Sequence, residues 1–223
     1  MHVVLYLMLH PSGTPGGETH MIRIAIVIGS TRPRRRTAVA ARWVAEIAAH
    51  HPAVTAGEAA FEVVDLAEYG LSVLDEPLPA LFGDYHHPHT NRWAQTIASF
   101  DGFVFVTPEY NHSAPAALKN AIDFVFAEWN NKAAGFVSHG VHGGVRAVEH
   151  LRQIMTELQV ANVRTQVALS AFTDFEIIDP AEPGIIAPGP HQEPTLNELL
   201  DEVIAWSRAL KPLREAAGQT VAA

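Results

Sequence analysis

The sequence predicts an α/β fold in which one parallel β-sheet lies between two layers of helices. Short stretches that are apolar on both faces recur along the chain, as expected for strands covered by helices on both sides. Amphipathic segments of helix length alternate with them, about five times. With 223 residues, of which 48% are hydrophobic, the chain has the size and apolar content of one ordinary α/β domain.

Runs of β-branched and other apolar residues predict five strands. These runs are Ile22–Ile28, Phe61–Leu66, Gly102–Thr107, Ala133–Ser138 and Val163–Leu169. The first run is apolar on both faces and ends at Gly29, so it is expected to lie in the middle of the sheet.

Apolar residues at helical spacing predict five helices between and after these strands. The helices are Thr37–His50, Asn91–Phe100, Pro115–Phe126, Gly144–Leu158 and Thr195–Leu210. In the fourth helix the apolar face begins at Val145 and ends at Leu158. Two segments rich in proline, 68–88 and 171–194, are expected to be irregular loops.

The predicted topology is a flavodoxin-like three-layer sandwich, a five-stranded parallel sheet of order 2-1-3-4-5 with right-handed crossovers. The sequence shows no internal repeat and no second core, so residues 21–212 are expected to form one domain. Residues 213–223 are expected to form a C-terminal tail. Residues 1–20 are interpreted as a poorly ordered extension, with an extra strand or an interface arm as alternatives. No Lys or Arg precedes the apolar run Val3–Leu9, which argues against a signal peptide.

The composition excludes several function classes. The net charge of −9 argues against a general nucleic-acid binder, and no apolar run is long enough to predict a membrane span. The absence of cysteine excludes disulfides, thiolate metal sites and cysteine nucleophiles. Nothing in the composition demands an oxidising compartment, and we expect a cytoplasmic protein that has neither a nucleic acid nor a membrane as partner.

Ligands of such sheets bind beyond the carboxyl ends of the strands, where the strand order reverses. The loop after the first strand is strongly basic in this acidic chain, with four arginines in five positions. Its polar side chains are Ser30, Thr31, Arg32, Arg34, Arg35, Arg36 and Thr37. A helix begins immediately afterwards, and free N–H groups at a helix N-terminus together with guanidinium forks bind phosphate. The alternative is a solvated basic loop in which Thr37 only caps the helix.

The phosphate is expected to belong to a mononucleotide. The loop lacks the G-x-G-x-x-G pattern of dinucleotide sites, and no acidic residue stands about 20 residues further on to bind a ribose. The Gly-Lys-Ser/Thr sequence of a P-loop is also absent.

Two further loops are expected at the same edge. After the third strand, Pro108, Glu109, Tyr110 and Asn111 form a loop stiffened by two prolines, which either flanks a flat ring or only caps the next helix. After the fourth strand, three glycines within residues 138–144 permit close backbone approach and positive φ. The residues of interest in this third loop are Ser138, His139, Gly140 and Gly143.

Histidines outside these loops predict no metal site. His86, His87 and His89 cluster around Pro88, but apart from Asp84 no carboxylate stands at ligand spacing. A surface or subunit-contact loop is the favoured interpretation of this cluster, whereas His112 and His139, in the second and third of the loops described above, are expected to contact a bound cofactor or a substrate.

Three stretches resemble the NAD(P)H-dependent FMN reductases, a flavodoxin-like family that includes quinone and chromate reductases. They are GSTRPRRRT at 29–37, TPEYNHSAPAALKNAID at 107–123 and SHGVHGGVRAVEHLRQ at 138–153. The resemblance covers most of residues 22–210. It departs from the family at Arg34 and Arg35, where Gly or Ser is common, and at His139, where Tyr is frequent.

The resemblance implies bound FMN, NADPH or NADH as electron donor, and a homodimer or homotetramer. By position, Ser30, Arg32 and residues 35–37 would hold the FMN phosphate. Residues 108–111 would lie along the isoalloxazine edge, with loop N–H groups near its N5 and O4. Residues 138–144 would contact the pyrimidine side of the ring.

The expected reaction is the passage of two electrons from the nicotinamide to FMN and then to a small acceptor, in a ping-pong cycle. Flavin chemistry needs no acid–base side chain, which agrees with a sequence that contains no evident catalytic triad. Glu109 and Tyr110 are therefore expected to position the ring. The alternatives are a flavin-binding electron carrier without NAD(P)H turnover and a flavin-free interaction domain.

Overall fold

The computed structural model describes residues 21–221, with side chains through Ala216, and its centre is a five-stranded parallel sheet. The strands are β1 (Ile22–Ile28), β2 (Ala59–Asp65), β3 (Gly102–Pro108), β4 (Lys132–Gly140) and β5 (Val160–Ser170). Their order is β2-β1-β3-β4-β5, so both the predicted topology and the parallel orientation are confirmed.

Six helices surround this sheet in the described residues. They are α1 (Arg36–Ala49), α2 (Pro52–Thr55), α3 (Pro88–Ala98), α4 (Ala116–Asp123), α5 (Val145–Glu157) and α6 (Gln192–Val221). One face of the sheet packs against α1 and α6, and the other packs against α3, α4 and α5. No helix of the described segment is both long enough and apolar enough to cross a membrane.

The alternation of side chains along β1 explains why both faces are filled. Ala25 and Val27 point into the core that contains α3, α4 and α5, whereas Ile24 and Ile26 point into the core beneath α1 and α6. Every residue of β3 is buried, as expected for a central strand. The continuous apolar pattern in the sequence reflects this double burial.

Apart from α2, a single turn that the sequence did not predict, the observed helices differ from the predicted ones mainly at their ends. The helix predicted from Asn91 begins at Pro88, because proline is favoured in the first turn of a helix. In α5 the buried face starts at Ala147 and Val148, and Val145 is exposed because it lies in the first turn, at the rim.

The C-terminal helix extends much further than the sequence predicted. It continues past Leu210 and Pro212 to Val221, so most of the expected tail is helical. Within this extension Arg214 donates to the carbonyl of Asn131 at 2.7 Å and to the Asp101 carboxylate at 2.5 Å. The expectation for residues 1–20 lies outside the described residues.

The two predicted loops contain local structure. A short 3-10 turn, Leu66–Glu68, leads into the first predicted loop, and a second one, Ala80–Phe82, lies within it. The second predicted loop contains an antiparallel pair of two-residue strands, β6 (Phe175–Glu176) and β7 (Ile185–Ile186). We call residues 174–187, which include this pair, the strap.

Candidate functional site

The loops that follow β1, β3 and β4 lie side by side, because these three strands are adjacent in the sheet and point the same way. We call them the first loop (29–35), the second loop (109–115) and the third loop (141–144). The edge that they form is called the rim. The sequence predicted that these loops converge, and hydrogen bonds join the second loop to the first loop, to the end of β4 and to the start of α5.

Ser30 connects the first loop to the second. Its hydroxyl lies 3.1 Å from the Tyr110 hydroxyl and 3.4 Å from the backbone N of Arg32, which donates to it. The backbone N of Gly29 donates to the carbonyl of Val106 at 2.8 Å, which holds the start of the loop on β3. Ser30 is buried, whereas Tyr110 is exposed at the rim. The Ser30 side chain therefore fixes the loop from beneath.

Glu109 connects the second loop to the end of β4 and to α5. Its carboxylate accepts hydrogen bonds from the backbone N of Arg146 at 3.1 Å and from the Arg146 guanidinium at 2.8 Å. Its backbone N donates to the carbonyl of His139 at 3.0 Å. Burial raises the pKa of Glu109, but the hydrogen bonds with Arg146 outweigh this effect and hold the pKa below its ordinary value. Glu109 is thus an ionised cap at the N-terminus of α5.

The tip of the second loop is a tight reversal. Tyr110 and Ser113 exchange backbone hydrogen bonds of 2.9 and 3.0 Å, and the residues between them, Asn111 and His112, both have positive φ. The Ser113 hydroxyl also lies 2.9 Å from Nδ1 of His150 on α5. Two residues with positive φ are typical of a two-residue hairpin turn, for which asparagine is favoured. Asn111 was the sequence signal for this turn, and the sequence interpretation missed it.

Glycine is required in the third loop. Gly143 and Gly144 have φ of +73°, and a Cβ on Gly144 would lie 2.9 Å from both the N and the O of His139. The Ser138 hydroxyl donates to the carbonyl of Gly143 at 2.6 Å, and the carbonyl of Gly140 accepts from Gly143 and Ala171. The loop therefore folds tightly over the end of β4.

His139 is buried beneath the rim. Its Nε2 is 2.9 Å from the Thr37 hydroxyl, and its imidazole packs against Phe175. Burial, followed by the nearby positive charges of Arg36 and Arg32, lowers the pKa of His139 to about 4. The reason for the placement is that β4 continues to Gly140, so the Ser138 and His139 side chains remain inside the sheet layers.

The four arginines have different environments, although the sequence presents them as one basic cluster. Arg35 pairs with Asp65 at the end of β2, and Arg34 pairs with Glu182 of the strap at 2.7 Å. Arg36 reaches two carbonyl groups of the strap at 3.4 and 3.5 Å. The guanidinium of Arg32 is exposed and has no hydrogen-bond or ion-pair partner within residues 21–216.

The start of α1 fits a phosphate group. No side chain caps this helix and no acidic residue stands in its first turn. Buried Nε atoms of Arg35 and Arg36 have no hydrogen-bond partner in the part of the chain that the structure describes. Unpaired cationic donors at a free helix N-terminus match the oxygens of a phosphate ester, so these residues fit the phosphate of FMN.

A cavity lies beside the rim, and larger ones lie elsewhere in the molecule. A cavity of about 250 Å³ adjoins the first loop, between the end of β2 and α4, and is lined by Thr31, Leu66, Ala67, Gly70, Leu71, Ala117, Asn120 and Ala121. Larger cavities lie away from the rim, between α1, α2 and α6. Within residues 21–221 no group of three or more His, Asp or Glu side chains is placed to hold a metal ion.

The sequence interpretation did not name Arg146 and His150, which hold the second loop from α5. Both residues stand in the stretch 138–153 and lie on the side of α5 that faces the second loop. Their spacing of four residues places them on one face of a helix, which was the available signal.

Comparison with known proteins agrees with this geometry. The family model for NADPH-dependent FMN reductase matches residues 22–174. An NAD(P)H-dependent FMN reductase of Schizosaccharomyces pombe is 38% identical over 164 residues, which cover 71% of this chain and 80% of that protein. A quinone reductase of Escherichia coli K12 is 30% identical over 200 residues, which cover 86% of this chain and 97% of that protein.

A solved structure supports the fold. FerB, a flavoenzyme NAD(P)H:(acceptor) oxidoreductase from Paracoccus denitrificans, superposes with a TM-score of 0.63 at 19% identity, covering 85% of this chain and 98% of that chain. At this identity the likeness concerns the architecture alone. The family model, however, includes all three loops of the rim and well over half of the sequence. The chain therefore belongs to the NADPH-dependent FMN reductases, oxidoreductases that use FMN as cofactor and NAD(P)H as electron donor.

Proposed function

We propose that this protein carries two electrons from NAD(P)H to a small acceptor at the rim, in a ping-pong cycle. The observation that carries the proposal is the start of α1, where buried guanidinium nitrogens lack partners beside a helix N-terminus without a cap. Bound FMN would take up a hydride from the nicotinamide and then deliver both electrons to the acceptor. The protein's own task is to bind and orient the flavin, the donor and the acceptor.

The first loop would hold the flavin phosphate. Arg32 and Arg36 supply positive charge that has no carboxylate partner in the described residues, and the first N–H groups of α1 supply aligned donors. Arg35 is already paired with Asp65, so its unpaired Nε is the atom available to a phosphate. Ser30 and Thr37 keep the loop and the helix start in place through their hydrogen bonds.

The second and third loops would hold the ring. Pro108 ends β3, and the backbone of Glu109, Tyr110 and Asn111 follows along the rim. Glu109 is ionised and engaged by Arg146, so its role is to fix this loop rather than to transfer a proton. In the tight turn from Ser138 to Gly144, the glycines at 140, 143 and 144 present backbone groups without a side chain.

We base the ping-pong order on the position of the rim, where α1, α4 and α5 begin. Donor and acceptor would use the same face of the flavin in turn. Since relatives include FMN reductases and quinone reductases, we propose a flavin or a quinone as acceptor. A metal ion is the third acceptor that we propose, because the resemblance extends to chromate reductases.

We further propose that the protein is a homodimer or homotetramer. The segment between β2 and α3 exposes several large apolar side chains, of which Val73, Leu81 and Phe82 are the most exposed. Exposed apolar groups concentrated in one segment are typical of protein interfaces. The segment lies against α4, where the Asn120 side chain contacts backbone groups of Ser72 and Leu74.

The test is an absorption spectrum of the purified protein followed by anaerobic addition of NADH or NADPH. We expect a yellow protein whose flavin band bleaches with either donor and returns when a quinone is added. FMN should bind much more tightly than riboflavin, which lacks the phosphate. A flavin that stays oxidised would contradict the reductase function and favour an electron carrier without NAD(P)H turnover. A colourless protein that does not take up FMN would contradict both functions.

A further inference from the structure

The strap places an acidic segment against the arginines of the first loop. It contains four acidic residues and neither lysine nor arginine. The acidic residues are Asp174, Glu176, Asp179 and Glu182. The first loop contains three of the 15 basic residues of the chain, and Arg36 at the start of α1 is a fourth. Complementary charges thus meet beside the proposed cofactor site.

The base of the strap is firmly anchored. The buried Asp174 carboxylate accepts hydrogen bonds from the backbone N of Ser170 and of Gly189, both at 2.9 Å. The backbone N of Ala187 donates to the carbonyl of Asp174, and the β6–β7 pair continues the ladder. This framework holds residues 179–184 over the start of α1.

Glu182, near the tip, makes the contact with the first loop. Its Oε1 lies 2.7 Å from Nη1 of Arg34, and the two side chains are 50% and 63% exposed. Asp179 stabilises this tip by accepting hydrogen bonds from the backbone N of Ala181 and of Glu182. The ion pair is therefore accessible from solvent, while its acidic member is held on an ordered turn.

With Arg32 assigned to the flavin phosphate, Arg34 is the arginine best placed for a second anion. Arg35 is committed to Asp65, and Arg36 is partly buried against the carbonyl groups of the strap. Elsewhere along the rim, Arg146 pairs with Glu109 and Lys119 pairs with Asp123. An exposed guanidinium that is occupied only by a carboxylate can exchange this partner for a phosphate.

We propose that Glu182 determines the choice of electron donor: by occupying Arg34 it denies the 2′-phosphate of NADPH a cationic partner, so that the enzyme favours NADH. NADH and NADPH differ only in that phosphate, and the carboxylate of Glu182 both neutralises Arg34 and repels the additional negative charge. The inference rests on the proposed binding of the donor at the rim.

The experiment compares two nucleotides that carry or lack the distinguishing group. Adenosine 2′,5′-bisphosphate and adenosine 5′-monophosphate are titrated into the FMN-loaded protein by calorimetry, at low and at moderate salt. The variants are Glu182→Gln, Arg34→Gln and the double variant. Glu193→Gln is the matched control, because it removes one exposed carboxylate at the start of α6, away from the strap tip.

In the wild type we expect no tighter binding of the bisphosphate than of the monophosphate. Glu182→Gln should tighten the bisphosphate by about tenfold, leave the monophosphate unchanged and shift the NADPH/NADH ratio of kcat/KM in the same direction. The double variant, which adds Arg34→Gln to Glu182→Gln, should no longer bind the bisphosphate more tightly. Glu193→Gln should change the affinity for neither nucleotide.

Equal effects of Glu182→Gln on both nucleotides, or a gain that persists in the double variant, would overturn the proposal. A wild type that already prefers the bisphosphate would overturn it as well. The FMN spectrum, recorded for every variant, separates these outcomes from a failure to bind flavin.

Discussion

At the scale of single residues, the third loop depends on two glycines whose backbone conformation other residues rarely adopt. Gly144 combines a φ of +73° with contacts so close that a Cβ would lie 2.9 Å from backbone atoms of His139. Gly57 has the same φ but open space around its Cα. Substitutions at these two positions therefore separate the energetic cost of a positive φ from the cost of the steric contact with His139.

We expect Gly144→Ala to lower the free energy of unfolding by about 2–4 kcal/mol and to weaken FMN binding, because either His139 or the loop must move. Gly57→Ala should cost only about 1 kcal/mol and leave FMN binding unchanged. Urea unfolding and a flavin fluorescence titration measure the two quantities. Equal destabilisation by the two substitutions would show that the contact in the third loop has no energetic importance.

At the scale of elements, the second half of α6 is fixed to the sheet by one arginine. Arg214 binds Asp101, and the two side chains are only 15% and 16% exposed. Asp101 also accepts a hydrogen bond from the backbone N of Arg23 at 2.9 Å, so it connects β1, β3 and α6. Arg208, about two turns earlier in α6, pairs with Glu58, and both side chains are more than half exposed.

Arg214→Met should lower the free energy of unfolding by about 1–3 kcal/mol, since it leaves a largely buried carboxylate without its cation. Arg208→Met should change it by less than about 0.5 kcal/mol, because water screens an exposed pair. Denaturant unfolding of the two variants at equal ionic strength tests the difference. If Arg208→Met lowers the free energy of unfolding as much as Arg214→Met does, burial does not determine how much these ion pairs contribute to stability.

At the scale of the whole molecule, the free energy of unfolding depends on pH through His139, which is buried beside the proposed phosphate site. His139 is buried between Thr37 and Phe175 with Arg32 and Arg36 nearby, and its pKa in the folded protein is about 4. In the unfolded chain its pKa is near the ordinary 6.5, so the unfolded state binds the extra proton first as the pH falls. The contribution of neutral His139 is therefore complete above pH 6.5 and is lost as the pH falls from 6.5 towards 4.

We expect the FMN-free protein to lose about 2 kcal/mol between pH 7 and pH 5 through this residue. His139→Gln, which keeps a polar group beside Thr37 but does not titrate, should show a shallower decline over that interval. Unfolding free energies at several pH values provide the comparison. Parallel curves for the two proteins would contradict the buried, neutral state of His139.

Much of the architecture could be predicted because its causes are local. The strands β1 and β3 are apolar on both faces, and this pattern alone requires a sheet with two helical layers. The positions of the three rim loops then follow from strand order. The end of α6 could not be predicted, because Pro212 signals a break and the compensating contacts of Arg214 come from residues far away in the sequence.

The sequence by itself determined the layers, the strand order and the residue types at the rim, since periodicity and composition are local properties of the chain. The tertiary structure decided the partner of each charged or polar group. Arg34 meets Glu182, Arg35 meets Asp65 and His139 meets Thr37. These contacts join residues that are far apart in the sequence, and burial fixes which of them face solvent. No local pattern encodes such pairings, because they depend on how β2, the strap and α1 pack together.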